Sequence, residues 1–171
     1  MATEAAIFAY LIFSYFYLGS QADGDWPPMG LPSLRLAAPN TAVLLLSSLA
    51  LFWAERSGAR RNLRGRLLLG LGVAFLLGAG FVLVQLVEWR DKPFTLHSDL
   101  YGSIYFTMTG FHLVHVVVGL GILMALFLWA LLGHFNHQRH AALTIGAIYW
   151  HFVDAVWVLL FAVLYIVPRL R

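Results

Sequence analysis

The sequence predicts an all-α fold: a polytopic membrane helix bundle with five transmembrane helices, forming one domain over residues 1–171. Composition is the first observation. Of the residues, 61% are apolar and only 11% are charged, whereas soluble domains run near about 25% charged. Placement is the second, because the charges gather in short blocks between apolar runs long enough to cross a bilayer. Third, proline- and glycine-bearing linkers separate those runs.

The first apolar run, residues 5–19, is aromatic-rich and short. At about 1.5 Å per residue it reaches only about 22 Å, less than the roughly 30 Å hydrocarbon core. It spans only if the helix begins near Met1, as 2–19, which brings Glu4 to the membrane boundary. The start Met1-Ala2-Thr3-Glu4 lacks the positive n-region of a signal peptide. In the following linker, Trp26-Pro27-Pro28 cannot continue a helix, since proline lacks the amide donor and constrains its neighbour. The second run covers 37–54, with Pro39 expected in its first turn, where a missing amide costs little.

The third run covers 67–87. Gly70, Gly72, Gly78 and Gly80, with Ala74, lie within it and read as a close-packing face, not as a phosphate-binding loop. Pro93 breaks the next connection. The fourth run, 101–133, would be about 48 Å long as one helix, so it is tilted, overhanging or broken. The fifth covers 141–167, and Pro168 is expected to end it.

Charge gives the orientation. Between the second and third runs, Arg56, Arg60, Arg61, Arg64 and Arg66 face only Glu55, a balance of +4. The linker before the second run has Asp23 and Asp25 against Arg35, and residues 88–100 have three acids against Arg90 and Lys92. The connection before the fifth run has Arg139 with His134, His137 and His140. The positive-inside rule puts the N-terminus in the cytoplasm and the C-terminus outside, with Arg169 and Arg171 outweighed. The expected location is a bacterial plasma (inner) membrane. The net charge of +3 is modest and loop-borne, so it carries no nucleic-acid footprint. With no cysteine there is no disulfide framework, thiolate metal site or CxxC redox pair.

Ionisable side chains inside spanning segments demand a reason. Asp154 falls near mid-membrane with His151 one turn before it, so the two can hydrogen-bond or meet a common partner. Thr109, His112 and His115 share a face of the fourth helix, and Glu4, Gln85, Glu88 and Asp99 stand near other boundaries. His112 or His115 with His151 could in principle hold a haem or metal. Depth opposes this, since along two antiparallel neighbours their levels differ by about 10 Å. The other readings are helix-to-helix polar contacts, or a proton or lipid site in a larger complex. Trp53, Trp89 and Trp129 fall near helix ends, as an interfacial aromatic belt requires. No nucleophile elbow, zinc-binding HExxH or phosphate-cradling loop is present.

Several runs resemble subunit III of cytochrome c oxidases. Tyr101-Gly102-Ser103, then Thr109-Gly110-Phe111-His112 with His115-Val116 and Gly119, resembles that family's penultimate helix. Tyr149-Trp150-His151-Phe152-Val153-Asp154 with Val156-Trp157 is similar to its last-helix signature. Trp26-Pro27-Pro28, Asn40-Thr41 with 44–48, and Gln85 and Glu88 before Pro93-Phe94-Thr95 match in order, and Glu4 resembles the family's membrane glutamate. The resemblance covers essentially the whole chain, in a short five-helix form.

The resemblance implies a non-catalytic subunit in aerobic respiration, with no redox centre of its own. Haem and copper would lie in the partner subunit I, beside which it packs, with other oxidase subunits also expected. It implies bound phospholipid, support of proton uptake, and protection of the catalytic subunit. Glu4, Gln85, Glu88, Asp99, His112, His115, His151 and Asp154 are then the lipid, proton or packing candidates. Trp26, Trp53, Trp89, Trp150 and Trp157 are the lipid-cleft or interface candidates. Two departures stand out: Thr144 where seven-helix members have a glutamate, and Trp129 where they have a basic residue. The alternatives are a quinol oxidase subunit III, a subunit III-like companion of nitric oxide reductase, or a free-standing membrane transporter or haem protein.

Overall fold

Each apolar run is a helix in the computed structural model, and all five helices are long and apolar enough to cross a membrane. The structure describes residues 1–22, 24–28, 30–59, 64–135 and 141–170, with only the backbone of 57–59. The charges at Asp23, Arg60, Arg61, Arg139 and Arg171, and His137 and His140, lie outside the described residues.

Helix α1 is Ala2–Gln21. It starts at the second residue, as spanning requires, and its 20 residues reach about 30 Å. Helix α2, Leu34–Trp53, starts three residues earlier than expected because Ser33 caps it, accepting from the Arg35 amide at 3.2 Å. Pro39 therefore lies in the second turn and not the first. Beyond α2 a π-helical segment, Ala54–Ala59, extends into what reads as a loop.

Helix α3, Arg64–Arg90, and α4, Leu100–Leu131, follow. Helix α4 is continuous over 32 residues, about 48 Å, so it overhangs or tilts in the bilayer and does not break. Its end is closed by a glycine. Gly133 has φ +75°, the Gly133 amide reaches Ala130 O at 3.1 Å, and the His134 amide reaches Trp129 O at 3.1 Å. Arg64 adds a side-chain cap, donating to Ala130 O at 3.1 Å and to Leu131 O. Helix α5, Ala141–Phe161, runs through a π-helical segment, Ala162–Ile166, into a last turn, Val167–Leu170. Pro168 thus stands inside the final turn instead of ending the helix before it.

Helices α2, α3, α4 and α5 pack in a closed ring, each on the next and α5 back on α2. Helix α1 lies outside the ring against α4 and α5, burying Phe8 and Tyr15. Large apolar side chains cover the outer surface, as at Leu76 (69% exposed) and Leu83 (65%), the pattern of a protein solvated by lipid.

Glycine decides the closest approaches. A Cβ on Gly78 would come 2.6 Å from the Trp150 ring, and one on Gly119 would come 2.8 Å from it. The indole therefore fills a slot made by two bare backbones on α3 and α4. Gly70 gives the π-helical segment the same access at Ala54, and Gly72 faces Phe127. Gly80 faces open space, so the packing face read across all four glycines stops at Gly78.

Candidate functional site

The polar side chains of α2 and α5 meet in an antiparallel ladder. Thr144 Oγ1 donates to Glu55 Oε1 at 2.8 Å. One heptad further, Ser48 Oγ lies 2.9 Å from His151 Nδ1. Seven residues further along α2 and six along α5, Trp157 Nε1 donates to Thr41 Oγ1 at 2.9 Å, and Trp150 Nε1 reaches Ser47 Oγ at 3.0 Å. Along α2 and the π-helical segment that follows it, Thr41, Ser48 and Glu55 stand seven residues apart and face α5. Asp154 is 4% exposed, with both carboxylate oxygens lacking a hydrogen-bond partner among the described residues. The Ser48 hydroxyl that meets His151 is also near Asp154, without a hydrogen bond to it.

On α4, His112 is 1% exposed and stacks on Trp157 with ring centroids 4.9 Å apart. It also borders Phe8 and Phe81, and neither ring nitrogen has a hydrogen-bond partner among the described residues. His115 is half-buried beside Phe8, its Nδ1 2.7 Å from its own helix's Phe111 O. Thr109 likewise turns back to Tyr105 O. His112 and His115 thus border α1, while His151 faces α2. Among the described residues, no three His, Asp or Glu side chains come together as a metal site.

At the opposite end of α3 sits a buried ionic cluster. Lys92 Nζ pairs with Glu88 Oε1 at 2.9 Å, with the two side chains 8% and 5% exposed. Tyr165 donates to the same Glu88 oxygen at 2.6 Å, and Tyr105 and Tyr165 hydroxyls lie 2.7 Å apart. The ammonium also stands 5.2 Å and 5.3 Å from the Tyr105 and Tyr165 ring centroids. Gln85, one turn back, is buried beside Tyr105. Arg169 donates to Tyr165 O and Pro32 O, fastening the last turn to the loop before α2.

Two boundary acids have local partners. Asp99 caps α4, accepting from the Gly102 amide at 2.5 Å. Glu4 is half-buried, pairs with the Met1 amino group, and lies on the side of α1 nearest His115 and Tyr149.

The tryptophans divide. Trp53 and Trp89 stand at helix ends, and Trp129, half-exposed, stands near the end of α4. Trp26 stacks edge-on against Tyr101 at 5.3 Å. Trp150 and Trp157, expected at a lipid cleft or interface, are instead the two largest fully buried side chains of the bundle. Their indole donors need partners in that interior, and Ser47 and Thr41 supply them.

Lys92 and Tyr165 as partners of Glu88, Tyr105 as the partner of Tyr165, and Glu55 as the partner of Thr144 are not among the candidates the sequence offers. The Glu88–Lys92 spacing of four was a readable signal. The tyrosines, 60 and 77 positions from their partners, gave none.

The sequence model of the family described as cytochrome c oxidase subunit III matches residues 1–168. The chain is similar to cytochrome c oxidase subunit 3 of Homo sapiens, 36% identical over 172 residues, covering 96% of this chain and 66% of the relative. It is 37% identical to that of Pongo pygmaeus over the same coverage. To that of Drosophila melanogaster it is 34% identical, covering 95% of this chain and 64% of the relative. The chain spans about two thirds of the length of the curated relatives it matches. It belongs to the cytochrome c oxidase subunit III family.

Proposed function

We propose that this chain is the non-catalytic subunit III of a haem-copper terminal oxidase, a cytochrome c oxidase of aerobic respiration. It packs beside subunit I, which holds the haem and copper, together with other oxidase subunits. It binds phospholipid, and supports proton uptake and the stability of the catalytic subunit. Family membership over residues 1–168 supports the oxidase assignment. The α2–α5 ladder carries the supporting role: its polar groups join helix to helix instead of converging on a reacting centre.

The ladder also suits proton handling. With the arginine-rich connection in the cytoplasm, Glu55 and Thr144 stand at the inner boundary. His151 and Ser48 follow, and Asp154 ends the series inside the bundle. The N-terminus is then cytoplasmic and the C-terminus outside, in a bacterial plasma membrane.

Mild solubilisation, capture of this chain and identification of its companions test the reading. The expected result is a copper-containing subunit I and cytochrome c oxidase activity in the captured complex. A quinol oxidase or a nitric oxide reductase as the companion would overturn it.

A further inference from the structure

The buried cluster at the end of α3 has no part in the α2–α5 ladder, and the order of its hydroxyls is fixed. Each phenol carries one proton. Tyr165 gives its own to Glu88 Oε1 at 2.6 Å, so in the 2.7 Å contact between the tyrosines Tyr105 is the donor. The series therefore runs from Tyr105 to Tyr165 to Glu88, and all three residues are buried. Tyr165 stands in the π-helical segment Ala162–Ile166, a backbone form frequent at functional sites.

A phenol hydrogen-bonded to a carboxylate is arranged to lose an electron and a proton together. Oxidation of the ring makes the hydroxyl strongly acidic, and its proton needs an acceptor already in place. Glu88 is that acceptor for Tyr165. Loss of the electron alone is opposed, because the Lys92 ammonium stands 5.3 Å from the Tyr165 ring centroid and repels a cationic ring. A neutral radical meets no such repulsion, and the Tyr105 hydroxyl already points at its oxygen. Tyr101 is the contrast: it is equally buried, but its hydroxyl has no hydrogen-bond partner among the described residues. Oxidisable rings also connect the cluster to the edge of the bundle. Tyr105 stacks with Tyr101 at 6.2 Å, and Tyr101 meets the half-buried Trp26 at 5.3 Å.

We propose that Tyr165 is a redox-active tyrosine, which gives one electron to an oxygen-centred radical. The electron leaves through the ring contacts toward Trp26, and the oxidant is reduced to its anion. At Tyr165 the phenolic O–H bond breaks, and an O–H bond forms at Glu88 Oε1. A neutral phenoxyl radical then faces a neutral carboxylic acid. The inference rests on the reading that the chain lies beside an oxygen-reducing centre, since incomplete reduction of oxygen supplies such oxidants.

Flash-quenched ruthenium tris-bipyridine, an added one-electron oxidant, tests this on the captured complex. The radical is trapped at low temperature and read by electron paramagnetic resonance. The unmodified complex should give a tyrosyl signal, one component of which is lost in Tyr165→Phe. Tyr105→Phe removes the donor to the radical oxygen and should shift that component to a higher g value. The component should also form more slowly after exchange into heavy water, because a proton moves with the electron. If Tyr165→Phe does not assemble, the g value of Tyr105→Phe decides the matter. A signal unchanged in Tyr165→Phe, no shift in Tyr105→Phe, or equal rates in the two solvents would each overturn the proposal. Because the oxidant is added, such a result in a complex that holds its oxidase companions counts against Tyr165 alone. Companions of another kind count against the functional reading instead.

Discussion

The hydroxyl of Ser48 on α2 lies 2.9 Å from His151 Nδ1 on α5, and it is also the polar neighbour of the buried Asp154. One small side chain thus gives an ionisable group a partner where the bilayer would otherwise penalise it. Ser48→Ala removes that partner without changing backbone geometry. Interhelical hydrogen bonds in membranes average about 0.6 kcal/mol, so its loss should cost about that much. Thermal unfolding in detergent, as a double-mutant cycle with His151→Phe, should show coupling of that size. Additive losses would mean that the contact carries nothing.

The glycines predict opposite outcomes on one helix. Gly78→Ala places a methyl 2.6 Å from Trp150, which must move within a filled interior. Overpacking of this kind costs about 1–3 kcal/mol. Gly80→Ala meets nothing within 4 Å and should be neutral or slightly stabilising. Unfolding midpoints of the two variants compare them directly, and equal effects would contradict the packing described.

The Glu88–Lys92 pair should be far more sensitive to halving than to removal. Lys92→Met leaves a buried carboxylate with Tyr165 as its hydrogen-bond partner among the described residues, and breaking a buried pair costs about 3–5 kcal/mol. Glu88→Gln with Lys92→Met should recover much of that loss. The yield and unfolding midpoint of the three proteins check it, and a double variant as weak as Lys92→Met would contradict the pairing.

Thr144 on α5 donates to Glu55, whose carboxylate meets it from the π-helical segment after α2. Thr144→Glu alone puts two acids together and should destabilise the bundle. Thr144→Glu with Glu55→Thr exchanges donor and acceptor and should restore most stability. If the exchange fares no better than the single change, the two positions are not coupled.

Asp154 separates packing from proton handling. Asp154→Asn keeps the shape and can hydrogen-bond Ser48, so the complex should assemble. Proton support predicts slower turnover or faster inactivation of that assembled complex, checked by oxygen uptake over repeated cycles. Lost assembly with normal turnover in the remainder would assign Asp154 to packing alone.

How much of this was legible depends on range. The five helices follow from apolar runs alone, because a bilayer demands about 20 such residues per span. Ends were less legible: Ser33 moves the start of α2, a π-helical segment carries the chain past the expected end of α2, and a last turn with Pro168 inside it extends beyond the expected end of the fifth helix. His151 and Asp154 stood out because ionisable groups are costly in lipid. Ser48, the partner of His151, did not, since a serine costs little there and lies 103 residues away. The same range hid Tyr165 from Glu88, and made Trp150 and Trp157 look lipid-facing until Gly78 and Gly119 were seen to make room.

The central claim is that this chain supports chemistry carried out in a neighbouring subunit. Reduced-minus-oxidised spectra of the captured complex, recorded before and after this chain is separated from its companions, test it most directly. The account predicts that all haem absorbance stays with subunit I and that the isolated chain is colourless. Haem remaining with the isolated chain, lost on replacing His112 or His151, would contradict it.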